Sequence, residues 1–201
     1  MRYKAIVFDF DGTLVESNQI KIDGFAHVFA DHPACVSAVP RVMSDLKAGT
    51  RYEIVRALVG CIEELEAERH EAEAARRVAD YSEWIEEQIY EKSKLSPAGA
   101  LLGEWQRAAD LYVCSLTPIE HLHRLLDRIG WRRYFAGVEG YPVDKTAMLR
   151  QTANAHGGRP AEILMVGDGD GDEAAARAAH TGFFRIRTLN DLFALEEHLK
   201  T

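Results

Sequence analysis

Short apolar runs alternate with longer amphipathic segments through the second half of the chain. The runs have the length and the Val, Ile and aromatic content of buried strands, at Leu111–Cys114, Tyr134–Val138, Ile163–Val166 and Phe183–Ile186. The amphipathic segments repeat apolar residues at helical spacing, at Pro118–Ile129, Asp144–His156 and Asp172–His180. Strands and helices that alternate with short turns predict an open parallel sheet with helices on both faces.

The first apolar run, Ala5–Phe8, is separated from the others by a long segment of different character. This segment shows no convincing strand pattern, and its helical patterns lie at Ile54–Leu58, Glu63–Ala79 and Tyr81–Tyr90. We therefore predict an α/β fold, in which residues 1–15 and 96–201 form a Rossmann-like core and residues 16–95 form an inserted, all-helical cap domain.

Charge and composition exclude several classes of function. The sequence carries 24 Lys and Arg against 32 Asp and Glu, a net charge of −8, which disfavours nucleic acid as a partner. Its apolar stretches are far shorter than the roughly 20 residues of a membrane span. Three cysteines without C-x-x-C spacing indicate neither a disulfide framework nor a zinc site. Because the N-terminal residues lack a signal-peptide pattern, we expect a cytoplasmic protein.

An acidic pair, Asp9 and Asp11, follows the first predicted strand and precedes Gly12. Ligands of open parallel sheets bind beyond the carboxyl ends of the strands, so these side chains stand where a site is expected. Two carboxylates this close repel each other unless a cation or hydrogen bonds compensate, and the spacing therefore favours a metal. In the alternative, one Asp caps a helix and Gly12 makes a turn, which leaves the other Asp unexplained.

A second acidic turn, Gly167–Asp172, follows the strand predicted at Ile163–Val166. Its alternating glycines and aspartates offer a sharply turning backbone and hard oxygen ligands that suit Mg²⁺. An EF-hand is excluded because Glu173 and Ala179 occupy its sixth and twelfth positions, and a dinucleotide fingerprint is excluded because Asp172 replaces its last glycine. The alternative is a polar turn in which Asp172 caps the next helix.

Two further residues, Ser115 and Lys145, follow predicted strands. Ser115 adds a hydroxyl at a strand end, near the N–H groups of an opening helix that could hold an oxyanion. Lys145 lies at a helix start, where a positive charge is not favoured by the helix dipole, which is mild support for a functional role. A Walker A motif is excluded because Asp144 stands where glycine is required. Carboxylates, a hydroxyl and a cation together are the inventory of phosphoryl transfer.

With these motifs the chain resembles the haloacid dehalogenase-like hydrolase superfamily, and most nearly its phosphoglycolate phosphatase and β-phosphoglucomutase type with a helical cap. The resemblance covers essentially the whole chain. Asp9-Phe10-Asp11-Gly12-Thr13-Leu14-Val15 is similar to the first motif of the family, and Gly167-Asp168 with Asp172 is similar to the fourth. Ser115 and Lys145 match the second and third motifs by order and spacing.

The resemblance implies a role for each matching residue. Asp9 would be the nucleophile that forms an aspartyl-phosphate, and Asp11 the general acid and base. The residues that would hold the substrate phosphate are Gly12, Ser115, Leu116 and Lys145. The Mg²⁺ ligands would be Asp9, the main-chain carbonyl of Asp11, and Asp168, with Asp172 or Asp170 ordering the bound waters. Leu116 departs from the Asn of many relatives, so it can offer only its backbone N–H.

These implications predict a Mg²⁺-dependent phosphatase for a small phosphate monoester. A phosphomutase of a sugar phosphate uses the same core residues and stays open as an alternative, as does a non-catalytic regulatory module on the same fold. Dehalogenase activity is disfavoured, because relatives that cleave carbon–halogen bonds lack an acid at the position of Asp11. Lys47 and Arg51, in a turn of the predicted cap, are candidates for recognising the substrate's leaving group. Position favours Asp172 over Asp170 as the more important acid.

Overall fold

The computed structural model describes residues 2–46 and 49–200. The chain divides into two compact units: Met1–Ser17 with Ile89–Thr201, and Asn18–Gln88. The predicted cap segment, 16–95, contains the second unit and extends beyond it at both ends. Within the described ranges, no helix combines the length and the apolar character that crossing a bilayer requires.

The first unit is built on a five-stranded sheet in the order β3-β2-β1-β4-β5, and all neighbours are parallel. The strands are β1 (Ala5–Phe8), β2 (Asp110–Pro118), β3 (Phe135–Tyr141), β4 (Ile163–Gly167) and β5 (Gly182–Arg185). All residues of the central strand β1 are buried, as expected for a parallel strand covered on both faces. The predicted α/β class with a parallel sheet is confirmed.

Five helices accompany the sheet: α5 (Ala98–Gln106), α6 (Ile119–Ile129), α7 (Lys145–Ala155), α8 (Asp170–Ala179) and α9 (Asp191–Lys200). Successive β1 side chains point to opposite faces. Val7 packs in a core cluster with Leu149 of α7 and Ala176 of α8. Phe8 instead stacks on Trp105 of α5, with ring centroids 5.3 Å apart. Both faces of β1 are therefore covered by apolar side chains.

The second unit is helical throughout its elements. It contains α1 (Asn18–Val28), α2 (Pro33–Asp45), α3 (Arg51–Val59) and most of α4 (His70–Ser93). The prediction of separate helices at Glu63–Ala79 and Tyr81–Tyr90 was wrong: α4 is one helix, preceded by a 3₁₀ turn at Ala67–Arg69. No Gly or Pro interrupts it, and an ion pair between Arg76 and Asp80 spans the predicted break at 2.7 Å.

A buried arginine links two parts of this helical unit. The Arg77 side chain is 2% exposed, and it donates to both carboxylate oxygens of Asp31, at 2.7 and 2.8 Å. Arg77 Nε also donates to Glu73 at 2.6 Å. These bonds hold the pKa of both carboxyls down to about 2, through side-chain hydrogen bonds from Arg77 to Asp31 and from Arg76 and Arg77 to Glu73.

Candidate active site

The site lies at the carboxyl ends of the neighbouring strands β1 and β4. Asp9 directly follows β1, and its N–H donates to the Val166 carbonyl of β4 at 2.9 Å, while Asp168 directly follows β4. From β1 the chain builds β2 and β3 on one side of the sheet, and then β4 and β5 on the other. A crevice opens where the strand order reverses in this way, and both predicted acidic turns meet there.

Three carboxylates converge in this crevice. Asp9, Asp168 and Asp172 each offer an oxygen, and these oxygens lie within 4.8 Å of one another. Asp172 reaches the cluster because Gly167 has no side chain, since a Cβ at Gly167 would overlap the Asp172 carboxylate. Asp9 and Asp172 are buried. The two acidic turns recognised in the sequence therefore form one cluster.

Lys145 supplies the positive charge of the cluster. It is the first residue of α7, whose N-cap Asp144 accepts from the Thr146 N–H at 2.8 Å. The ammonium donates to Asp9 Oδ1 at 3.0 Å and to Asp172 Oδ1 at 2.6 Å. Burial works against its charge, but the two carboxylates raise the pKa of Lys145 above its usual value. Lys145 therefore keeps its positive charge at neutral pH.

Burial moves the pKa of Asp9 away from the value of an ordinary surface aspartate. Desolvation, opposed by Lys145 and reinforced by the charges of Asp172 and Asp11, raises the pKa of Asp9 to about 7. Crowded, buried carboxylates of this kind favour the approach of a cation, because a positive charge relieves their mutual repulsion. Buried carboxylates with a raised pKa are more typical of a functional site than of a structural turn.

The Asp11 carboxylate is held by hydroxyl groups. Ser17 Oγ donates to its Oδ1 at 2.6 Å, Thr117 Oγ1 donates to its Oδ2 at 2.7 Å, and Ser115 Oγ lies 3.3 Å from the same Oδ2. Ser17 and Thr117 were missed in the sequence. Thr117 carries a usable signal, because it lies two residues after Ser115 on β2 and therefore faces the same side of the strand.

The other residues predicted to bind the substrate phosphate lie near the same site. A cavity of about 620 Å³ is lined by Asp9, Leu116, Lys145, Asp168 and neighbours on α8. Leu116 is 65% exposed in that wall, whereas Ser115 is buried. Gly12 has a φ of 71°, a left-handed conformation that favours glycine, and its N–H donates to the Val15 carbonyl at 2.7 Å. The cleft thus adjoins the carboxylates and the cation.

The family model described as haloacid dehalogenase-like hydrolase matches residues 3–180. The chain belongs to this family. The family resemblance noted in the sequence is thereby confirmed, and so is the expectation of a hydrolase.

Relatives of this hydrolase include the phosphoglycolate phosphatase of Psychrobacter arcticus, 27% identical over 192 residues that cover 90% of this chain and 81% of that protein. A predicted phosphoglycolate phosphatase from Haemophilus somnus 129PT has a similar structure, with a TM-score of 0.71, 20% identity, and coverage of 98% of this chain and 99% of that one. A Thermotoga maritima protein, provisionally described as a β-phosphoglucomutase, gives a TM-score of 0.73 at 14% identity, with 97% and 99% covered. The two structural likenesses show a shared fold.

The donor set of the hydrolase fits a hard divalent cation. Asp9 and Asp168 present carboxylate oxygens, the ligands that such ions prefer. Asp172 uses Oδ1 for Lys145 and accepts the Gly169 N–H on Oδ2 at 3.1 Å, so both of its oxygens already have donors. These two bonds make Asp172 better suited to the shell around an ion than to direct coordination.

Arg185, which was not a sequence candidate, secures the second acidic turn. It lies at the end of β5 and donates to the Asp168 carbonyl at 2.9 Å. The same guanidinium binds Asp170 at 3.0 Å and Glu173 at 2.5 Å. The Asp170 side chain is fully exposed, in contrast to the 4% exposure of Asp172. This difference agrees with the sequence preference for Asp172 as the more important acid.

Of the two candidates for substrate selection, Arg51 lies in the helical unit. Lys47 lies outside the described residues. Arg51 begins α3, donates to Ser82 Oγ at 2.9 Å, and places its guanidinium 5.6 Å from the Tyr81 ring centroid. These contacts are all made within the helical unit, and a role for Arg51 in choosing the substrate stays a prediction.

Proposed function

We propose that this hydrolase is a Mg²⁺-dependent phosphatase that cleaves a small phosphate monoester through an aspartyl-phosphate on Asp9. The observation that carries the proposal is the convergence of Lys145 with Asp9, Asp168 and Asp172 beside an open cleft. Catalysis of phosphoryl transfer depends mainly on positioning and on neutralising charge, and this cluster supplies both.

Asp9 is the proposed nucleophile. One of its oxygens attacks phosphorus, so that a bond from Asp9 to phosphorus forms while the bond from phosphorus to the alcohol oxygen breaks. Lys145 Nζ, 3.0 Å from Asp9 Oδ1, stabilises the ionised carboxylate that this attack requires. The β1-to-β4 hydrogen bond at the Asp9 N–H keeps the backbone of the nucleophile fixed.

Asp11 is the proposed general acid and base. It gives a proton to the departing alcohol oxygen, and it then takes a proton from the water that releases phosphate from Asp9. Its two-residue separation from Asp9, with the tight turn at Gly12, supports this division of labour. Ser115, Lys145 and the backbone N–H of Leu116 are proposed to bind the oxygens of the transferring group, with the turn at Gly12 lining the same phosphate site.

The proposed Mg²⁺ ligands are Asp9, Asp168 and the main-chain carbonyl of Asp11. Asp172 is proposed to order the waters bound to the ion. The bound ion supplies positive charge that offsets the carboxylates and the phosphate oxygens. Arg185 keeps the Asp168 backbone in place through its carbonyl.

A panel of phosphate monoesters with and without Mg²⁺ tests the proposal. 2-Phosphoglycolate belongs in it because of the Psychrobacter arcticus relative, and sugar phosphates belong in it to detect isomerisation by a mutase. We expect phosphate release that requires Mg²⁺ and is lost in Asp9→Asn. Release by Asp9→Asn at the wild-type rate would refute the nucleophile, and no release from any ester would favour the regulatory module.

A further inference from the structure

The hydroxyl groups of Ser115 and Thr117 both contact Asp11, but only Ser115 is also proposed to bind the substrate phosphate. Thr117 Oγ1 lies 2.7 Å from Asp11 Oδ2, and Thr117 is 4% exposed. Ser115 Oγ lies farther from Oδ2, at 3.3 Å, and it also accepts the Thr117 N–H at 3.1 Å. A hydroxyl has a single proton to donate. If Ser115 donates that proton to a phosphate oxygen, it no longer donates it to Asp11, whereas the bond from Thr117 is unaffected.

We infer that Thr117 is a positioning residue that holds the Asp11 carboxyl in line for proton transfer to the leaving group. This inference rests on the proposed function, in which Asp11 is the general acid. It assigns Thr117 a task separate from that of Ser115, although both residues lie on β2 and face the same carboxylate.

The position of Thr117 in the fold suits this task. It lies within β2, one residue before the strand ends at Pro118, and its branched Cβ restricts rotation about χ1. Ser17 Oγ donates to the other oxygen, Oδ1, at 2.6 Å. Each oxygen of the carboxyl group therefore accepts one short bond, and the two bonds together restrict its rotation. Hydrogen bonds of this length to a carboxylate are stronger than those between neutral groups.

The chemical consequence depends on the leaving group. An alkoxide needs a proton as the bond from phosphorus breaks, so a misplaced Asp11 slows the attack by Asp9. A p-nitrophenolate leaves without a proton, and its departure does not depend on where Asp11 points. The value of kcat/KM covers the steps through departure of the leaving group, so it separates the two cases.

The experiment compares Thr117→Val and Thr117→Ser on 2-phosphoglycolate and on p-nitrophenyl phosphate. Because general acid catalysis contributes about 10²- to 10⁴-fold, we expect Thr117→Val to lower kcat/KM about 10- to 100-fold for the alkyl ester. On the aryl ester it should stay close to wild type, and Thr117→Ser should restore the alkyl reaction. Thr152→Val is the matched control, because Thr152 is equally buried at 4% and its hydroxyl donates within α7, to the Met148 carbonyl at 3.0 Å.

Asp11→Asn separates the inference from its premise. If Asp11→Asn slows both esters equally, the acid role of Asp11 fails, and the inference fails with it. If Asp11→Asn slows the alkyl ester selectively but Thr117→Val slows both esters equally, or neither, only the role of Thr117 is overturned. Should Thr117→Val not fold by circular dichroism, Thr117→Ala replaces it under the same criteria.

Discussion

Lys145 Nζ lies 2.6 Å from Asp172 Oδ1, so one ammonium joins the first residue of α7 to the first turn of α8. The same ammonium contacts Asp9 at 3.0 Å. A single cation therefore connects three segments that are far apart in sequence, and it partly balances the charge of the buried carboxylates. Without it, Asp9 and Asp172 would repel each other in a poorly solvated crevice.

Replacing this cation should disable catalysis. We expect Lys145→Met to lower kcat by about 100-fold or more at saturating Mg²⁺, the effect of losing one preorganised donor to the transition state. Lys4→Met is the control, because Lys4 pairs with Glu162 on the surface and its side chain is 46% exposed. Phosphate release measures both variants. A Lys145→Met rate within a few-fold of wild type would contradict the proposed role.

The acids of the second turn should differ sharply in importance. Asp172 is buried and bonds Lys145 and the Gly169 N–H, whereas Asp170 is fully exposed. We expect Asp172→Asn to raise the Mg²⁺ concentration for half-maximal activity about 10- to 100-fold, as is typical for residues that orient metal ligands. Asp170→Asn should change it less than threefold. Equal shifts in the two variants would show that exposure does not separate their roles.

The sequence predicted the acidic cluster because its members carry strong local signals. Asp9 and Asp168 each follow a buried apolar strand, and the parallel sheet brings such strand ends together. Ser17 lacks a comparable signal, because a single hydroxyl is compatible with many surface and core positions, and the signal of Thr117 is limited to its spacing of two residues from Ser115. The contact between Thr117 and Asp11 depends on β2 lying beside β1, in a register that pairs Phe8 with Val113.

The same reasoning explains the error in α4. Its two predicted helices were separated at a change of composition near Asp80, but a change of composition does not end a helix. Gly and Pro commonly end a helix, and the sequence has neither between His70 and Tyr90, where α4 is continuous. Arg185 was missed for a different reason. Its contact with the Asp168 carbonyl depends on β5 lying beside β4, and the local sequence pattern does not specify which strands are neighbours.

Removing Arg185 should loosen the metal site without touching it directly. Arg185 holds the Asp168 carbonyl and pairs with Asp170 and Glu173. We expect Arg185→Met to weaken Mg²⁺ activation about tenfold, because the Asp168 backbone loses a charged donor. Arg187→Met removes the same charge two residues away, at an exposed position, and should leave activation unchanged. If both variants weaken Mg²⁺ activation alike, the effect is one of net charge alone.

The helical unit should lose stability in acid because Arg77 lowers the pKa of Asp31, and Arg76 together with Arg77 lowers the pKa of Glu73. The pKa of Asp31 is about 2 against an ordinary 3.8, and that of Glu73 is about 2 against 4.5. Because both values are lowered by folding, the stabilisation is fully present above about pH 4.5 and is lost as the pH falls toward 2. Urea unfolding followed by circular dichroism at pH 7, 4 and 3 should show this loss.

Arg77→Met should remove the part of that pH dependence that comes from Asp31, together with part of the stability. Hydrogen bonds to charged groups contribute about 1.5–3 kcal/mol each when buried, and the 61% exposure of Asp31 reduces its share, so we expect a loss of about 2 kcal/mol at pH 7. Arg76→Met is the control, since Arg76 is 54% exposed and pairs on the surface with Glu73 and Asp80. It should cost less than about 1 kcal/mol, as exposed ion pairs do. An Arg77→Met variant as stable as wild type at pH 7, and equally sensitive to acid, would show that the buried pairs contribute nothing net.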